Sequence, residues 1–214
     1  FDEMQNKKVA FIGLGVTHTR LIQMMAQKGI DCTLCDKKSE EQLGEAGEEL
    51  KEYGVKFDLG EGYLNNLTKY DVIFRTPGMY YNNEKLTAAR KAGRVVTSEM
   101  EVFLDLCPCK KYAVTGSDGK TTTTTLIAEF LKAAGKTVHV GGNIGHPLLC
   151  EAGEMAPEDY AVLELSSFQL MTMTRSPHIS VITNLAPNHL DVHRDMAEYI
   201  SAKENIFTHQ TPED

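Results

Sequence analysis

The residues best suited to chemistry lie in one short run, VTGSDGKTT at residues 114–122. The run follows a β-branched stretch and precedes a good helix-forming segment, which is the setting of a phosphate-binding loop. Backbone N–H groups at a helix N-terminus, next to glycines that permit close approach, can bind a polyphosphate. We expect Lys120 to lie beside the terminal phosphates of ATP and the Thr121 hydroxyl to bind Mg²⁺. The predicted nucleotide-binding residues are Gly116, Ser117, Asp118, Gly119, Lys120, Thr121 and Thr122.

The alternative without phosphate binding is that this run is a glycine-rich turn before a threonine-rich helix. A strict phosphate loop of the form G-x-x-x-x-G-K-[ST] would require glycine where Val114 stands, and Gly116 comes two residues later. The loop is therefore a shortened variant of that pattern.

A carboxylate near the end of another apolar stretch is a second candidate group. Glu164 lies in VLELSSFQL at residues 162–170, where a strand pattern meets a polar helix start. Mg²⁺ prefers oxygen ligands, and an acidic residue at the carboxyl edge of a parallel sheet can supply one. Taken alone, the stretch is equally an ordinary strand-to-helix junction.

Polar residues also cluster in TNLAPNHLDVH at residues 183–193. From the residues alone, His189, Asp191 and His193 fit either a metal-binding strand or a solvated loop, and the loop is favoured. Two more stretches can be interpreted without any functional role. Lys203 in YISAK would be a solvated surface charge, and GGNIGHP at residues 141–147 would be a glycine-rich turn.

The N-terminal part carries its own glycine turn, GLGVTH at residues 13–18, with Asp36 at the end of the next predicted strand. This nearly matches the dinucleotide-binding fingerprint. The third glycine of that fingerprint permits close packing of helix on strand, and here His18 stands in its place. The departure disfavours a nicotinamide dinucleotide as the ligand.

Apolar runs rich in Val, Ile and Phe alternate with stretches of helical period along the chain, which predicts an α/β fold with mainly parallel sheets. Strand, glycine turn and helix follow one another twice, starting at Val9 and at Tyr112. We therefore expect two consecutive units, residues 1–99 and 100–214, that join within residues 99–110. The predicted strands are 8–13, 31–36, 55–59, 71–76, 95–98, 111–116, 137–140, 160–165 and 180–184, and the predicted helices are 17–28, 40–53, 83–92, 120–134 and 196–208.

Composition narrows the class of protein. The 214 residues are 42% hydrophobic and carry a formal charge of −8 without a long basic run, which disfavours binding to nucleic acid or to an anionic membrane. No apolar run approaches the roughly 20 residues that a bilayer span requires, and the N-terminal residues lack a signal-peptide pattern. We expect a cytoplasmic monomer.

The cysteines raise the question of a zinc site, because Cys32, Cys35, Cys107 and Cys109 could be imagined as four thiolate ligands. Cys32 and Cys35 are three apart on a predicted strand and so face opposite ways. Buried or incidental thiols are the simpler account.

Taken together, the motifs resemble those of the Mur ligase family. The loop T-G-x-x-G-K-T, the turn G-G-N-I-G-x-P, the signature N-x-x-x-x-H-L-D-x-H and the motif Y-x-x-A-K occur in the family's order. Folylpolyglutamate synthetases share the loop, and the family usually has Asn where Asp118 stands. The stretch at residues 162–170 is most similar to members that add D-glutamate to UDP-N-acetylmuramoyl-L-alanine, and sister ligases differ after the acidic residue.

The resemblance implies an ATP- and Mg²⁺-dependent ligase of peptidoglycan precursor synthesis that forms an amide bond through an acyl phosphate. It implies a Rossmann-like first unit that binds the UDP substrate and a second, phosphate-loop unit that binds ATP. In the family, the first histidine of the signature lies near the metal and the reacting carboxylate, and the lysine of Y-x-x-A-K is carbamylated. The implied catalytic residues are Lys120, His189 and Lys203, the implied metal ligands are Thr121, Glu164, His189 and Lys203, and the implied substrate contacts are Thr17, Asp36, Thr76, Asn143 and His189.

Members of the family are about twice as long as this chain. We therefore expect that the central domain is incomplete here, that a third domain for D-glutamate is absent, and that this stretch alone is inactive. The alternatives are a sister Mur ligase, a folylpolyglutamate synthetase-like ligase, or a non-catalytic nucleotide-binding module.

Overall fold

The computed structural model describes residues 2–187 and 192–214. The chain divides into two compact units, Phe1–Glu99 and Met100–Asp214, which are called the first and the second unit. Each is built on a parallel sheet.

The first unit contains five parallel strands and three α-helices. The strands are β1 (Lys8–Ile12), β2 (Asp31–Asp36), β3 (Lys56–Leu59), β4 (Val72–Phe74) and β5 (Val95–Thr97), and the helices are α1 (Val16–Gln27), α2 (Glu40–Glu52) and α3 (Glu84–Lys91). The spatial order of the strands is β3-β2-β1-β4-β5, so the chain changes direction across the sheet between β1 and β4. In such sheets a crevice for ligands forms at that point, outside the carboxyl ends of the strands.

The core of the first unit explains why its central strands are continuous apolar runs. A parallel sheet is covered on both faces, so β1 buries all its residues from Val9 to Ile12. Phe11 stacks on Phe74 of the neighbouring strand at a ring-centroid distance of 4.9 Å. Helix α1 buries Leu21 and Met25, four residues apart on one face.

The second unit has a four-stranded parallel sheet in the order β7-β8-β6-β9. Its strands are β6 (Lys110–Thr115), β7 (Val138–Gly142), β8 (Tyr160–Glu164) and β9 (Ile179–Ile182). Its helices are α4 (Glu99–Leu106), whose first residue belongs to the first unit, α5 (Lys120–Ala133), α6 (Ser167–Leu170) and α7 (Met196–Glu204).

The structure confirms the predicted α/β class and each predicted strand and helix to within a few residues. The largest difference is at α7, which ends at Glu204 instead of residue 208. Beyond Glu204 the backbone amides of Ile206 and Phe207 donate to carbonyls three residues earlier, at 3.1 Å and 3.0 Å, so turns replace the last helical turn. The amphipathic stretch at the expected join forms α4, which buries Met100, Phe103 and Leu104.

Within the two described ranges, no helix has both the length and the apolar character needed to cross a lipid bilayer.

Candidate functional site

The phosphate loop connects β6 to α5 in the second unit and depends on a glycine at position 116. Gly116 has φ of 145°, and a Cβ placed there would lie 1.9 Å from the Thr183 hydroxyl oxygen. The backbone therefore passes directly beneath the end of β9, where a side chain does not fit. The Lys120 ammonium folds back over the loop and donates to the carbonyl oxygens of Gly116 and Ser117, each at 3.0 Å.

Asn184 fixes the outer part of the phosphate loop. Its side chain accepts a hydrogen bond from the Asp118 amide and donates one to the Asp118 carbonyl, both at 3.0 Å. The Ser117 hydroxyl contacts the backbone of Ala186 at 2.8 Å and the Tyr199 hydroxyl at 3.0 Å. Side chains and backbone from other parts of the second unit thus hold the loop in place.

Glu164 joins two motifs that lie 20 or more residues away from it in the sequence. One carboxylate oxygen accepts from the Thr121 hydroxyl at 2.6 Å, and the other accepts from the Asn143 side-chain amide at 2.8 Å. Gly142 permits this approach, since a Cβ there would lie 2.1 Å from the Glu164 carbonyl oxygen. The predicted metal ligands Thr121 and Glu164 and the predicted substrate contact Asn143 therefore form one connected group.

Lys203 is buried on α7 and reaches the base of the phosphate loop. Its ammonium donates to the Gly116 carbonyl at 2.8 Å and to the Thr115 hydroxyl at 3.2 Å, and it lies 4.7 Å from the centre of the Tyr199 ring. Only 2% of the residue is exposed. Burial, followed by the charge of Lys120, lowers the pKa of Lys203 to about 8. This lysine is not the solvated surface charge that its sequence alone would suggest.

A cleft of about 210 Å³ opens where these groups meet. His193 supports two residues of the cleft's lining. Its Nε2 lies 2.8 Å from the Ser167 hydroxyl, and its ring stacks on Phe168. The residues that line the cleft are Gly116, Lys120, Asn143, Ser166, Ser167, Phe168, Tyr199 and Lys203.

The first unit has a separate cleft of about 370 Å³ at the switch between β1 and β4. Its lining includes the glycine turn, Asp36, Thr76 and Gly78, together with two lysines, Lys37 and Lys38. The Asp36 carboxylate accepts from the backbone amides of Leu14 at 2.7 Å and Lys38 at 2.9 Å. It therefore holds the glycine turn against the end of β2.

His18 is accommodated in the first unit by burial under the glycine turn. Its ring lies edge-on to Phe11 at 5.5 Å, and its Nδ1 lies 2.9 Å from the Gly13 carbonyl oxygen. Burial lowers the pKa of His18. The histidine occupies the space that the third glycine of the fingerprint would leave for close packing of helix on strand.

The predicted site residues fall in both units. In the second unit, Lys120, Thr121, Asn143, Glu164 and Lys203 come together around the phosphate loop. In the first unit, Asp36 and Thr76 line the cleft, whereas Thr17 lies in the first turn of α1 and outside that lining. His189 and Asp191, which fall in the predicted signature, lie outside the described residues.

Some supporting residues had no predicted role. Asn184 and Tyr199 occur within the predicted motifs, but the sequence assigns neither of them a role. Both anchor the phosphate loop. Arg75 is 2% exposed and donates to the carbonyls of Thr76 at 3.5 Å and Met79 at 3.4 Å, so it supports the turn at residues 76–78. A basic residue at the end of the apolar run VIF was the signal that could have found it.

All five cysteines lie in the described residues, and none of them forms a disulfide. Cys32 and Cys35 are buried in β2, and burial raises the pKa of each thiol to about 12. Both therefore remain protonated near neutral pH.

Comparison with known families gives a direct assignment. A model described as the Mur ligase MurD-like N-terminal domain matches residues 7–98, and a model of the Mur ligase middle domain matches residues 114–214. The chain belongs to the Mur ligase family. Its two units correspond in position to these two Mur ligase domains.

Curated relatives of this Mur ligase chain share about half of its residues. It is 54% identical over 212 residues to a protein from Acetivibrio thermocellus named UDP-N-acetylmuramoylalanine--D-glutamate ligase. The matched region covers 99% of this chain and 46% of the relative. A protein of the same name from Clostridium novyi is 51% identical, with 100% of this chain and 46% of the relative covered. The chain thus spans about half the length of the curated relatives it matches.

Solved Mur ligases share the fold. The UDP-N-acetylmuramate:L-alanyl-gamma-D-glutamyl-meso-diaminopimelate ligase of Neisseria meningitides superposes with a TM-score of 0.55 at 19% identity, covering 94% of this chain and 67% of that one. The UDP-N-acetylmuramate-alanine ligase MurC of Thermotoga maritima superposes with a TM-score of 0.50 at 24% identity, and the match covers 94% of this chain and 46% of that one.

Proposed function

We propose that this chain forms the UDP-substrate and ATP sites of a ligase that joins D-glutamate to UDP-N-acetylmuramoyl-L-alanine. The observation that carries the proposal is the position of Glu164 between the Thr121 hydroxyl and the Asn143 amide. This carboxylate links the phosphate loop to the turn that the family uses near its muramoyl substrate. The names of the relatives at 54% and 51% identity support D-glutamate as the amino acid.

The residues around the phosphate loop suit Mg²⁺. Thr121 and Glu164 offer a hydroxyl and a carboxylate within 2.6 Å of each other, and hard oxygen donors are the ligands that Mg²⁺ prefers. When bound, Mg²⁺ would neutralise charge on the phosphate oxygens of ATP. Lys203 would join this ligand set only as a carbamate, and His189 is the remaining proposed member.

The reaction that these residues would support has two displacement steps. The carboxylate of the L-alanyl group attacks the γ-phosphorus of ATP, and ADP leaves with the electrons of the broken P–O bond. The amine of D-glutamate then attacks the acyl carbon, loses a proton and releases inorganic phosphate. Negative charge develops on phosphate oxygens in the first step, and a preorganised cation such as Lys120 stabilises that charge.

The first unit would bind the UDP part of the substrate in its cleft. The backbone of the glycine turn faces the cleft, and Lys37 and Lys38 lie at its border, where they add positive charge for a diphosphate. Asp36 is engaged by the amides of Leu14 and Lys38, so it shapes the turn. We place this activity in the cytoplasm and expect a monomer.

Calorimetry on the 214-residue chain separates the two proposed sites. We expect UDP-N-acetylmuramoyl-L-alanine and Mg²⁺-ATP to bind independently. Lys120→Ala should lower the affinity for ATP only, and Asp36→Ala should lower the affinity for the UDP ligand only. Failure of wild-type chain to bind either nucleotide would contradict the proposal. Binding of UDP-N-acetylmuramate with equal affinity would favour the sister ligase that adds L-alanine.

A further inference from the structure

A second group of candidate metal ligands lies at the amino edge of the second unit's sheet. Cys109 directly precedes β6, Asp159 directly precedes β8, and His139 is the second residue of β7. These strands are neighbours in the order β7-β8-β6 and run parallel, so their starts meet at one edge. The Cys109 sulfur, a ring nitrogen of His139 and a carboxylate oxygen of Asp159 all lie within 4.8 Å of one another.

The backbone and the surrounding contacts hold this group in place. His139 Nε2 and Asp159 Oδ2 are 3.0 Å apart, and the same Asp159 oxygen accepts from the Ala156 amide at 3.0 Å. The Lys110 amide donates to the Asp159 carbonyl at 3.2 Å, which ties the residue after Cys109 to Asp159. Cys109 is 1% exposed, whereas the side chain of His139 is 23% exposed and gives access from solvent.

We propose that Cys109, His139 and Asp159 bind a zinc ion. A thiolate, an imidazole and a carboxylate are the donors that zinc takes, whereas Mg²⁺ takes oxygen donors. Ligand atoms around a tetrahedral zinc are separated by roughly 3.3–3.8 Å. Side-chain rotations that move the three ligand atoms by about 1 Å would therefore complete the arrangement. The thiol proton passes to solvent as the Zn–S bond forms, and water completes the coordination.

This zinc site is distinct from the phosphate-loop site. The phosphate loop follows the carboxyl end of β6, whereas Cys109 precedes its amino end, and a strand of 6 residues separates them. At about 3.3 Å per residue, that strand is roughly 20 Å long. A metal at the amino edge therefore links the starts of three strands and lies away from the phosphate-loop site.

Cobalt titration of the 214-residue chain tests the zinc site, because a Co²⁺–thiolate bond gives a near-ultraviolet charge-transfer band that oxygen ligands do not give. We expect the band in wild-type chain, displacement of Co²⁺ by one equivalent of Zn²⁺, and no displacement by excess Mg²⁺. Cys109→Ser should abolish the band, and His139→Ala should weaken Co²⁺ affinity by at least about tenfold.

The matched controls are His146→Ala and Cys150→Ser. His146 pairs with Glu151 at 3.0 Å, and Cys150 is half-buried and forms no disulfide. Neither residue belongs to the proposed ligand set. Both should retain the wild-type titration. The half-buried His139 tolerates alanine without core disruption, so this variant stays informative if Cys109→Ser unfolds. A wild-type chain without the charge-transfer band, or equal Co²⁺ affinity in wild type and His139→Ala, overturns the proposal.

Discussion

Lys203 and Lys120 donate to the same oxygen atom, the carbonyl oxygen of Gly116, at 2.8 Å and 3.0 Å. Two ammonium groups so close repel each other, and Lys203 is the more deeply buried of the two. Burial and then the charge of Lys120 lower the pKa of Lys203 to about 8. The neutral amine is the form that reacts with CO₂, and near physiological pH Lys203 holds more of that form than a lysine with the ordinary pKa of 10.5 does.

We predict that Lys203 carries a carbamate in the full-length ligase. The modification reverses the charge of the side chain and turns a group that repels Mg²⁺ into an oxygen ligand. ¹³C-bicarbonate should give a carbamate NMR signal that strengthens with Mg²⁺ and alkaline pH and is missing in Lys203→Arg. That variant should lose nearly all activity, because a guanidinium does not form the carbamate.

Lys132→Arg is the control for the carbamate prediction, since Lys132 is exposed on α5 and pairs with Glu129. It should retain the NMR signal and normal activity. Normal activity in Lys203→Arg, together with no carbamate signal in wild type, would leave Lys203 as a structural residue only.

The lowered pKa of Lys203 also predicts a pH dependence of folding stability. Between the folded value of about 8 and the ordinary value of 10.5, the unfolded state holds the proton and the folded state does not. Stability rises with pH where the unfolded state binds more protons, so this lysine adds stability as pH increases from 8 to 10.5. Below pH 8 both states are protonated and the contribution to the slope disappears.

Lys203→Met isolates this effect from the other groups that titrate at high pH. The free energy of unfolding of wild type relative to Lys203→Met should increase across pH 8 to 10.5, as measured by urea denaturation of the 214-residue chain. A difference that stays constant over this range would mean that Lys203 titrates normally in the folded protein.

We predict that Lys120→Ala slows the chemical step of the full-length ligase by a factor of about 10²–10³, because it removes one preorganised charge from a phosphoryl-transfer site. Thr121→Ala should raise the Mg²⁺ concentration needed for half-maximal rate. Thr125→Ala, at an exposed position on the same helix, should change neither quantity. Single-turnover ADP formation measures the step, and near-wild-type rates in Lys120→Ala and Thr121→Ala would remove the loop from the catalytic site.

For the first unit, we predict tighter binding of UDP-N-acetylmuramoyl-L-alanine than of NAD, because buried His18 replaces the third glycine of the dinucleotide fingerprint. Thr76→Ala should weaken the UDP ligand more than Thr17→Ala does, since only Thr76 lines the cleft. Calorimetry on the 214-residue chain measures all four affinities: the UDP ligand and NAD for wild type, and the UDP ligand for each variant. Preference for NAD, or a larger loss in Thr17→Ala, would contradict this placement.

Much of the architecture could be predicted from the sequence because the local signals agree with one another. The β-branched runs, glycine turns and helical periods predicted the strands and helices. Residue type and position also predicted that residues 116–119 connect a strand to a helix and that Glu164 lies near the end of a strand. The reciprocal bonds between Asn184 and Asp118 were not, because they join residues 66 positions apart.

The grouping of Cys109, His139 and Asp159 escaped prediction for a related reason. Their proximity depends on the strand order β7-β8-β6, and a single sequence does not specify which strands are neighbours. The cysteine spacing raised only a set of four thiols, which the strand geometry of Cys32 and Cys35 disfavoured. The buried position of Lys203 likewise depends on where α7 packs, which its sequence period does not reveal.

The proposed ligase activity is measured by ATP-dependent incorporation of radiolabelled D-glutamate into UDP-N-acetylmuramoyl-L-alanine by the full-length protein, with chromatographic separation of the product. We expect stoichiometric formation of labelled product, ADP and phosphate, with loss of at least about 10²-fold in rate in Glu164→Ala. Incorporation of another amino acid in preference to D-glutamate, or product formation at an unchanged rate in Glu164→Ala, would contradict the account.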